Sequence, residues 1–330
     1  MHDPQTQWIA AMRRNDHEAA WAVSDAVLAA RDPAARDDPA LPYHRRFVWD
    51  GRPFDGRHVL VRCYHGLGDT LQFARYLPPL AARAASVTLE AQAPLLPLLE
   101  TLPGIARARP FLPHAPAPPA ECDLEIMELA HALRLPPQRV PPPELPVRPI
   151  PAPPGAIGLC WQSGGWDAAR AIPYARLAPA LPRHRPRVAL QPGPAPAGFR
   201  NPAGAPAALA DTAALVAGLS LVITVDTMAA HLAGTLGVPT LLLLKHDADW
   251  RWGAHTDRSP WYPSLRLLRQ TTPGDWSAVA ASLAAILSAD SPPAPAHRPD
   301  TAPPGSSSPA RYRSAASDPA ACPAAAPARP

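Results

Sequence analysis

Two short stretches carry side chains suited to chemistry. One is Leu221–Gly237, which reads LVITVDTMAAHLAGTLG. Leu221–Val225 is β-branched and apolar, the pattern of a buried parallel strand. Asp226 and Thr227 interrupt it. Met228–Leu236 then carries apolar residues at helical spacing and stops at Gly237. Strand, polar turn and helix in that order leave the first helical N–H groups and the positive end of the helix dipole at the strand's carboxyl end. That arrangement attracts anions. His231 lies four residues after Thr227, on the same helix face. The same residues also suit an ordinary helix capped by Asp226 or Thr227, with His231 packed beside it.

The other stretch is Tyr64-His65-Gly66-Leu67-Gly68-Asp69, directly after the apolar run His58–Cys63. Gly66 and Gly68 permit close approach of a ligand to the backbone. Asp69 falls at the start of a helix expected over Thr70–Ala85, at the carboxyl end of a strand, where open α/β sheets bind ligands. It has two candidate roles, catalytic carboxylate or helix cap. The turn is not the dinucleotide fingerprint, because Leu71 stands where the third glycine belongs. A nicotinamide or flavin enzyme is therefore disfavoured.

The elements around these stretches alternate. Strands are expected at His58–Cys63, Val87–Ala91, from Ile105, and at Cys122–Met127, with a helix over Pro94–Leu102. The Pro-rich run Leu135–Pro154 cannot be regular structure and reads as a linker. Further strands follow at Ala156–Trp161, Arg187–Leu190, Leu221–Val225 and Pro239–Leu244, with helices between them and a closing helix at Asp275–Ser288. Alternation of this kind predicts an α/β fold of two parallel sheets with helices on both faces. Lys245–Pro273 reads as one long loop dense in Trp, Tyr, Arg and Asp, and long loops in compact domains are usually functional. Its Trp250, Arg251, Trp252, Trp261 and Tyr262 either line a ligand site or pin the loop to the core.

Before the first sheet, Gln5–Ala30 has helical periodicity divided at Asn15-Asp16, similar to one tetratricopeptide-type hairpin. One such unit cannot bury its own face, so it should dock on the body of the protein or be a degenerate remnant of a repeat. From about Ser291 the chain is nearly all Pro, Ala, Ser and Arg, a composition expected to be disordered. The expected organisation is a helical segment over 1–44, domains over 45–150 and 151–289, and a tail over 290–330.

Composition narrows the function. The chain has 330 residues, 49 of them Pro, and a net charge of +4 carried almost wholly by Arg, with Lys245 the single lysine. The basic residues are scattered, which argues against nucleic-acid binding. Cys63, Cys122, Cys160 and Cys322 lack metal-ligand spacing, and three sit in or beside strands, as buried thiols in a reducing compartment do. Met1–Asp16 is polar, unlike a signal peptide, and no apolar run is long enough to span a membrane. A cytoplasmic location is expected, with peripheral membrane contact left open.

Three blocks resemble glycosyltransferase family 9, the family of ADP-heptose:lipopolysaccharide heptosyltransferases. They are GLGDTLQFARYLPPL (Gly66–Leu80), VITVDTMAAHLAGTLGVPTLLLL (Val222–Leu244) and DWRWGAHTDRSPWYPSLRLLRQ (Asp249–Gln270). The likeness extends over about Arg45–Ser288 and is greatest to the branch fused to tetratricopeptide repeats. It implies a GT-B architecture, two Rossmann-like domains facing a cleft. The nucleotide-sugar donor would sit mainly on the C-terminal domain and the acceptor toward the N-terminal one. It also implies inverting transfer to a glycan, lipid-linked or protein acceptor, with neither metal nor cofactor. Asp69 would be the general base, flanked by the acceptor-side loop residues Gly66 and Gly68. On the donor side the candidates are the Asp226-Thr227-Met228 turn, His231 and Arg251; Asp226 carries the wrong charge for a phosphate and would cap the helix or hold a sugar hydroxyl.

The stretch GGWDAARAIP after Ala156–Trp161 is shorter than in that family, and Arg170 is the best stand-in for its phosphate-binding cation. The segment Pro192–Pro206 is also cut down. An alternative function follows, a weakened or non-catalytic module that keeps the fold and binds a sugar nucleotide or a protein.

Overall fold

The computed structural model describes residues 3–165 and 167–289; the expected tail lies outside these residues. Among the described residues nine strands, most of them separated by helices, form two parallel sheets. The first contains β1 (His58–Arg62), β2 (Ser86–Ala91), β3 (Ile105–Pro110) and β4 (Cys122–Glu125), in the order β3-β2-β1-β4. The second contains β5 (Ile157–Cys160), β6 (Arg187–Ala189), β7 (Leu221–Val225), β8 (Thr240–Leu244) and β9 (Leu265–Arg269), in the order β6-β5-β7-β8-β9. Both orders reverse direction once, between β1 and β4 and between β5 and β7. Such switch points open a crevice at the carboxyl ends of the strands.

Helices α1 (Pro4–Arg13) and α2 (His17–Ala30) form the N-terminal hairpin. In the first sheet's half lie α3 (Leu67–Phe73), α4 (Leu77–Ala81), α5 (Leu96–Leu99) and α6 (Leu129–Leu133). The second half holds α7 (Tyr174–Leu177), α8 (Leu209–Ala217), α9 (Met228–Thr235) and α10 (Ser277–Ser288). Strands β7 and β8 are buried on both faces. Leu221, Ile223, Val225, Leu241 and Leu243 join one apolar cluster, and Val222, Leu242 and Leu244 point the other way into a second. Their near-continuous apolar sequence follows from this double burial.

Three expectations are corrected. The helix after β1 begins at Leu67, three residues before Thr70, and a 3-10 turn at Ala74–Tyr76 divides it from α4. Pro94–Leu102 yields only a 3-10 turn and the four residues of α5, since Pro97 denies a donor to a longer helix. The segment after β8 is not one loop to Pro273. Its second half contains β9, the edge strand, paired in register with β8 (Leu242 opposite Leu267).

Asn15 at φ +57° breaks the N-terminal hairpin where expected. The hairpin docks on both halves. Trp8 meets Trp250 edge-on, ring centroids 4.8 Å apart. Arg13 donates to Asp247 at 2.6 Å and to the Ala248 carbonyl at 3.3 Å. Asp25 on α2 lies 2.8 Å from His131 Nε2 on α6. Among the described residues, no helix is long and apolar enough to cross a membrane.

Candidate functional site

The two switch points open onto one cavity of about 580 Å³. From the first half it is lined by Gly66, Leu67, Gly68 and Asp69; from the second, by residues following β5, β6 and β7 and by Asp249 and Arg251. Nine residues named as site candidates from sequence border it: Gly66, Gly68, Asp69, Arg170, Asp226, Thr227, Met228, His231 and Arg251. Chain segments more than 150 residues apart meet here because each follows a strand at the carboxyl edge of its own sheet.

Asp69 is the third residue of α3, not its cap. Its Oδ2 accepts the Gly66 N–H at 2.8 Å, which satisfies the donor just outside the helix. Its Oδ1 accepts from Nη2 of Arg251. Burial pushes the Asp69 carboxyl up, but the Arg251 charge and the Gly66 N–H outweigh it and hold the group below the usual carboxylate range.

Arg251 lies in the 3-10 turn Trp250–Trp252, shaped by Asp249, whose Oδ1 accepts the Arg251 N–H at 3.0 Å. Its guanidinium reaches three acceptors at once: Asp69, Asp249 at 2.9 Å and Gln72 Oε1 at 2.7 Å. It also stacks over Trp250, 4.5 Å from the ring centre. Burial disfavours the charge, yet Asp249 and Asp69 more than compensate and raise its pKa.

The aromatic residues of this segment pin it. Trp252, Trp261 and Tyr262 are buried, and of the five residues singled out there only Arg251 lines the cavity. Arg75 on the first half fastens the segment further, donating to the Trp261 carbonyl at 2.9 Å beneath the rings of Trp261 and Tyr262.

Thr227 is the cap residue of α9, but its side chain makes no capping bond; its hydroxyl turns to the Val225 carbonyl at 3.4 Å and lies 3.7 Å from Cys160 Sγ. Neither Asp226 nor Thr227 therefore serves as the side-chain cap expected from sequence, and the first turn of α9, with Met228 and Ala229, faces the cavity. Asp226 is buried, and burial together with Asp249 pushes its carboxyl up. Its backbone carbonyl accepts from Arg170 Nη1 at 2.8 Å, so Arg170 braces the turn as well as facing the cavity.

His231 is stacked on Trp252, with ring centroids 5.3 Å apart, and its Nδ1 lies 3.1 Å from the Tyr262 hydroxyl. Burial and the nearby Arg251 charge push its pKa down to about 3, so the ring is neutral at physiological pH. It packs against Gly68: a Cβ there would stand 2.7 Å from His231 Cδ2. Gly68 thus lets α3 and α9 approach across the two halves.

Gln162, Ser163, Gln191 and Asp249 also line the cavity and escaped the sequence reading. Gln162, Ser163 and Gln191 obey the same rule that picked out Asp69 and Asp226, since they follow β5 and β6 at the carboxyl edge. Among the described residues, no group of three or more His, Cys, Asp or Glu is placed to hold a metal ion.

No family profile matches the sequence. In sequence the chain is similar to Protein FlbA of Caulobacter vibrioides, 27% identical over 308 residues, which cover 77% of this chain and 51% of FlbA. The chain thus spans about half the length of that relative. In structure it is similar to the iron-containing dodecameric glycosyltransferase TibC of enterotoxigenic E. coli H10407, with a TM-score of 0.51 at 14% identity over 68% of this chain and 65% of TibC. TibC is also known in complex with ADP-D-beta-D-heptose. The E. coli ADP-heptose lps heptosyltransferase II aligns with a TM-score of 0.50 at 16% identity over 70% of this chain and 98% of that enzyme. The fold is therefore the α/β, GT-B-like arrangement of two parallel-sheet halves seen in these glycosyltransferases.

Proposed function

We propose that the protein is an inverting glycosyltransferase of family 9 type that moves a sugar from a nucleotide-sugar donor to a hydroxyl of a glycan, lipid-linked or protein acceptor. One observation carries the reading: a carboxylate on one half, Asp69, shares a cavity with a helix N-terminus and two arginines on the other. Sugar transfer needs a base on one face of the anomeric carbon and stabilisation of a departing diphosphate on the other. In this reading Asp69 takes the proton of the acceptor hydroxyl. The acceptor oxygen forms the new bond to the anomeric carbon as the bond to the diphosphate oxygen breaks, and the diphosphate leaves with the electron pair. The first turn of α9, the Thr227 hydroxyl, Arg170 and Arg251 face that leaving group. Charge neutralisation is assigned to these groups and requires no metal. His231, being neutral, acts as a packing residue and at most a hydrogen-bond donor. The motif blocks support placement in the branch with tetratricopeptide hairpins, and the buried free thiols Cys63, Cys122 and Cys160 are in keeping with a cytoplasmic setting.

A panel of nucleotide sugars tests the reading. One donor is expected to raise the melting temperature, and incubation with acceptor should yield a glycoside of inverted anomeric configuration. Stabilisation without turnover on any acceptor would favour the alternative, a sugar-nucleotide-binding module. The tight pairing of Asp69 with Arg251 is the feature that speaks for that alternative, because a carboxylate so held is a weak base.

A further inference from the structure

The cavity's charges are poorly matched to a diphosphate. Three carboxylates line it, Asp69, Asp226 and Asp249, against two arginines. Arg170 is bonded to the Asp226 carbonyl, and Arg251 is spread over Asp69, Asp249 and Gln72. A nucleoside diphosphate entering here meets arginines that already hold partners, and it competes with those partners for the same cationic charge. Of those partners Asp69 and Gln72 lie on the opposite half, both on α3, and Asp69 is the one that carries charge; it is joined to Arg251 through a single nitrogen, Nη2. Asp249 holds the same guanidinium by Nη1 and caps the 3-10 turn that bears Arg251, so it travels with Arg251.

We propose that Arg251 is shared between Asp69 and the donor's diphosphate, so that donor binding draws the guanidinium from Asp69 and releases that carboxylate for proton abstraction. The proposal rests on the glycosyltransferase reading and adds an order to it, donor before acceptor activation. It also removes the conflict between a paired Asp69 and its use as a base. A guanidinium suits this sharing because its planar fork offers several donors and satisfies two anions in turn without losing its charge. The coupling is reciprocal: diphosphate binding weakens the Asp69–Arg251 pair by the same free energy with which that pair weakens diphosphate binding.

The test is a double-mutant cycle read by calorimetric titration of ADP and of UDP into the full chain. Asp69→Asn should bind the preferred diphosphate about 5-fold or more tighter than wild type. Arg251→Gln should bind it about 10-fold weaker. In the Arg251→Gln background the Asp69→Asn gain should vanish, because there is no arginine left to release. A gain that persists there marks simple charge repulsion by Asp69 and overturns sharing. An Asp69→Asn affinity equal to wild type overturns it too. If Arg251→Gln does not fold, Arg251→Lys replaces it; its compact ammonium lacks the fork, and the Asp69→Asn gain should then be smaller than in the arginine background. Wild type that binds neither ADP, UDP nor any nucleotide sugar of the panel above would defeat the underlying glycosyltransferase reading as well, whereas binding that is insensitive to Asp69 defeats sharing alone.

Discussion

Asp69 and Arg251 join the two sheets across the cleft: Nη2 of Arg251, on the segment after β8, donates to Oδ1 of Asp69, at the start of α3. The other carboxylate oxygen is held by the Gly66 N–H at 2.8 Å. One residue therefore completes a helix start in its own half and anchors the other half. Both jobs need an oxygen acceptor, but only the second depends on negative charge. This division makes the behaviour of variants at position 69 informative.

Asp69→Asn keeps an oxygen for the Gly66 N–H and nearly the same shape. It removes the proton acceptor that transfer requires. Positioned acid–base groups are worth roughly 10²–10⁴ in rate. The variant is expected to fold and to bind donor at least as tightly as wild type while turnover falls by a factor in that range. Parallel measurement of transfer rate and melting temperature checks this; near-wild-type turnover would leave Asp69 with its structural roles only.

Glu128 predicts a pH dependence of stability. Its Oε2 accepts the N–H groups of Trp49 at 3.1 Å and Glu125 at 2.9 Å, and Arg31 stands 3.8 Å from Oε1. Burial pushes its pKa up to about 7, from an ordinary 4.5. Its neighbour Glu125 is also shifted up, by burial and by Glu128. A raised carboxyl pKa means that the unfolded chain gives up the proton before the folded one does. Stability therefore declines as pH rises from about 4.5 to 7, and the full cost is present above that window. Glu128→Gln keeps an oxygen for both N–H groups and lacks the ionisation. Its melting temperature should match wild type near the lower bound and exceed it above neutrality. A difference that is flat with pH would remove Glu128 as the source.

Much of this site was legible in the sequence because it obeys a local rule. Asp69 and Asp226 each follow an apolar strand and precede a helix, and that pattern alone puts them at the carboxyl edge of a sheet. What the pattern does not encode is how the two halves dock. The pairing of Asp69 with Arg251, and the neutral packing of His231 against Gly68, depend on the approach of α3 to α9. That approach is set by side chains far apart in the sequence. Strand β9 was hidden for another reason. Leu265–Arg269 is short, lies at the sheet edge and follows a segment crowded with aromatic residues, so its alternation of Leu265, Arg266 and Leu267 reads as loop.

Gly68→Ala tests the close approach of the halves directly. The added methyl would meet His231 Cδ2 at 2.7 Å, and His231 is itself confined by Trp252 and Tyr262. Overpacking of this kind typically costs about 1–3 kcal/mol. Chemical denaturation should show a loss in that range. Combining the change with His231→Ala should recover part of it, because the two sites share one contact. Additive losses would mean that the helices separate for another reason.

The N-terminal hairpin yields the last prediction. Helix α1 holds the segment bearing Arg251 on both sides of that residue. Arg13 pairs with Asp247 at 2.6 Å and reaches the Ala248 carbonyl, its own carbonyl accepts the Ala254 N–H at 3.1 Å, and Trp8 packs on Trp250. The Arg13–Asp247 pair is largely solvent-exposed, so its direct contribution to stability is small. Its leverage is positional: the segment between Asp247 and Ala254 aims the Arg251 guanidinium at Asp69. The double change Trp8→Ala, Arg13→Ala should therefore leave the sheets folded and loosen Arg251. Small misplacements of a positioning group cost up to about 10²-fold in rate. Turnover is expected to fall by about 10-fold or more, while circular dichroism and the main unfolding transition change little. A merely structural hairpin would show the reverse, a lowered melting temperature with turnover per folded molecule unchanged. Measuring the two quantities on the same preparation separates these outcomes.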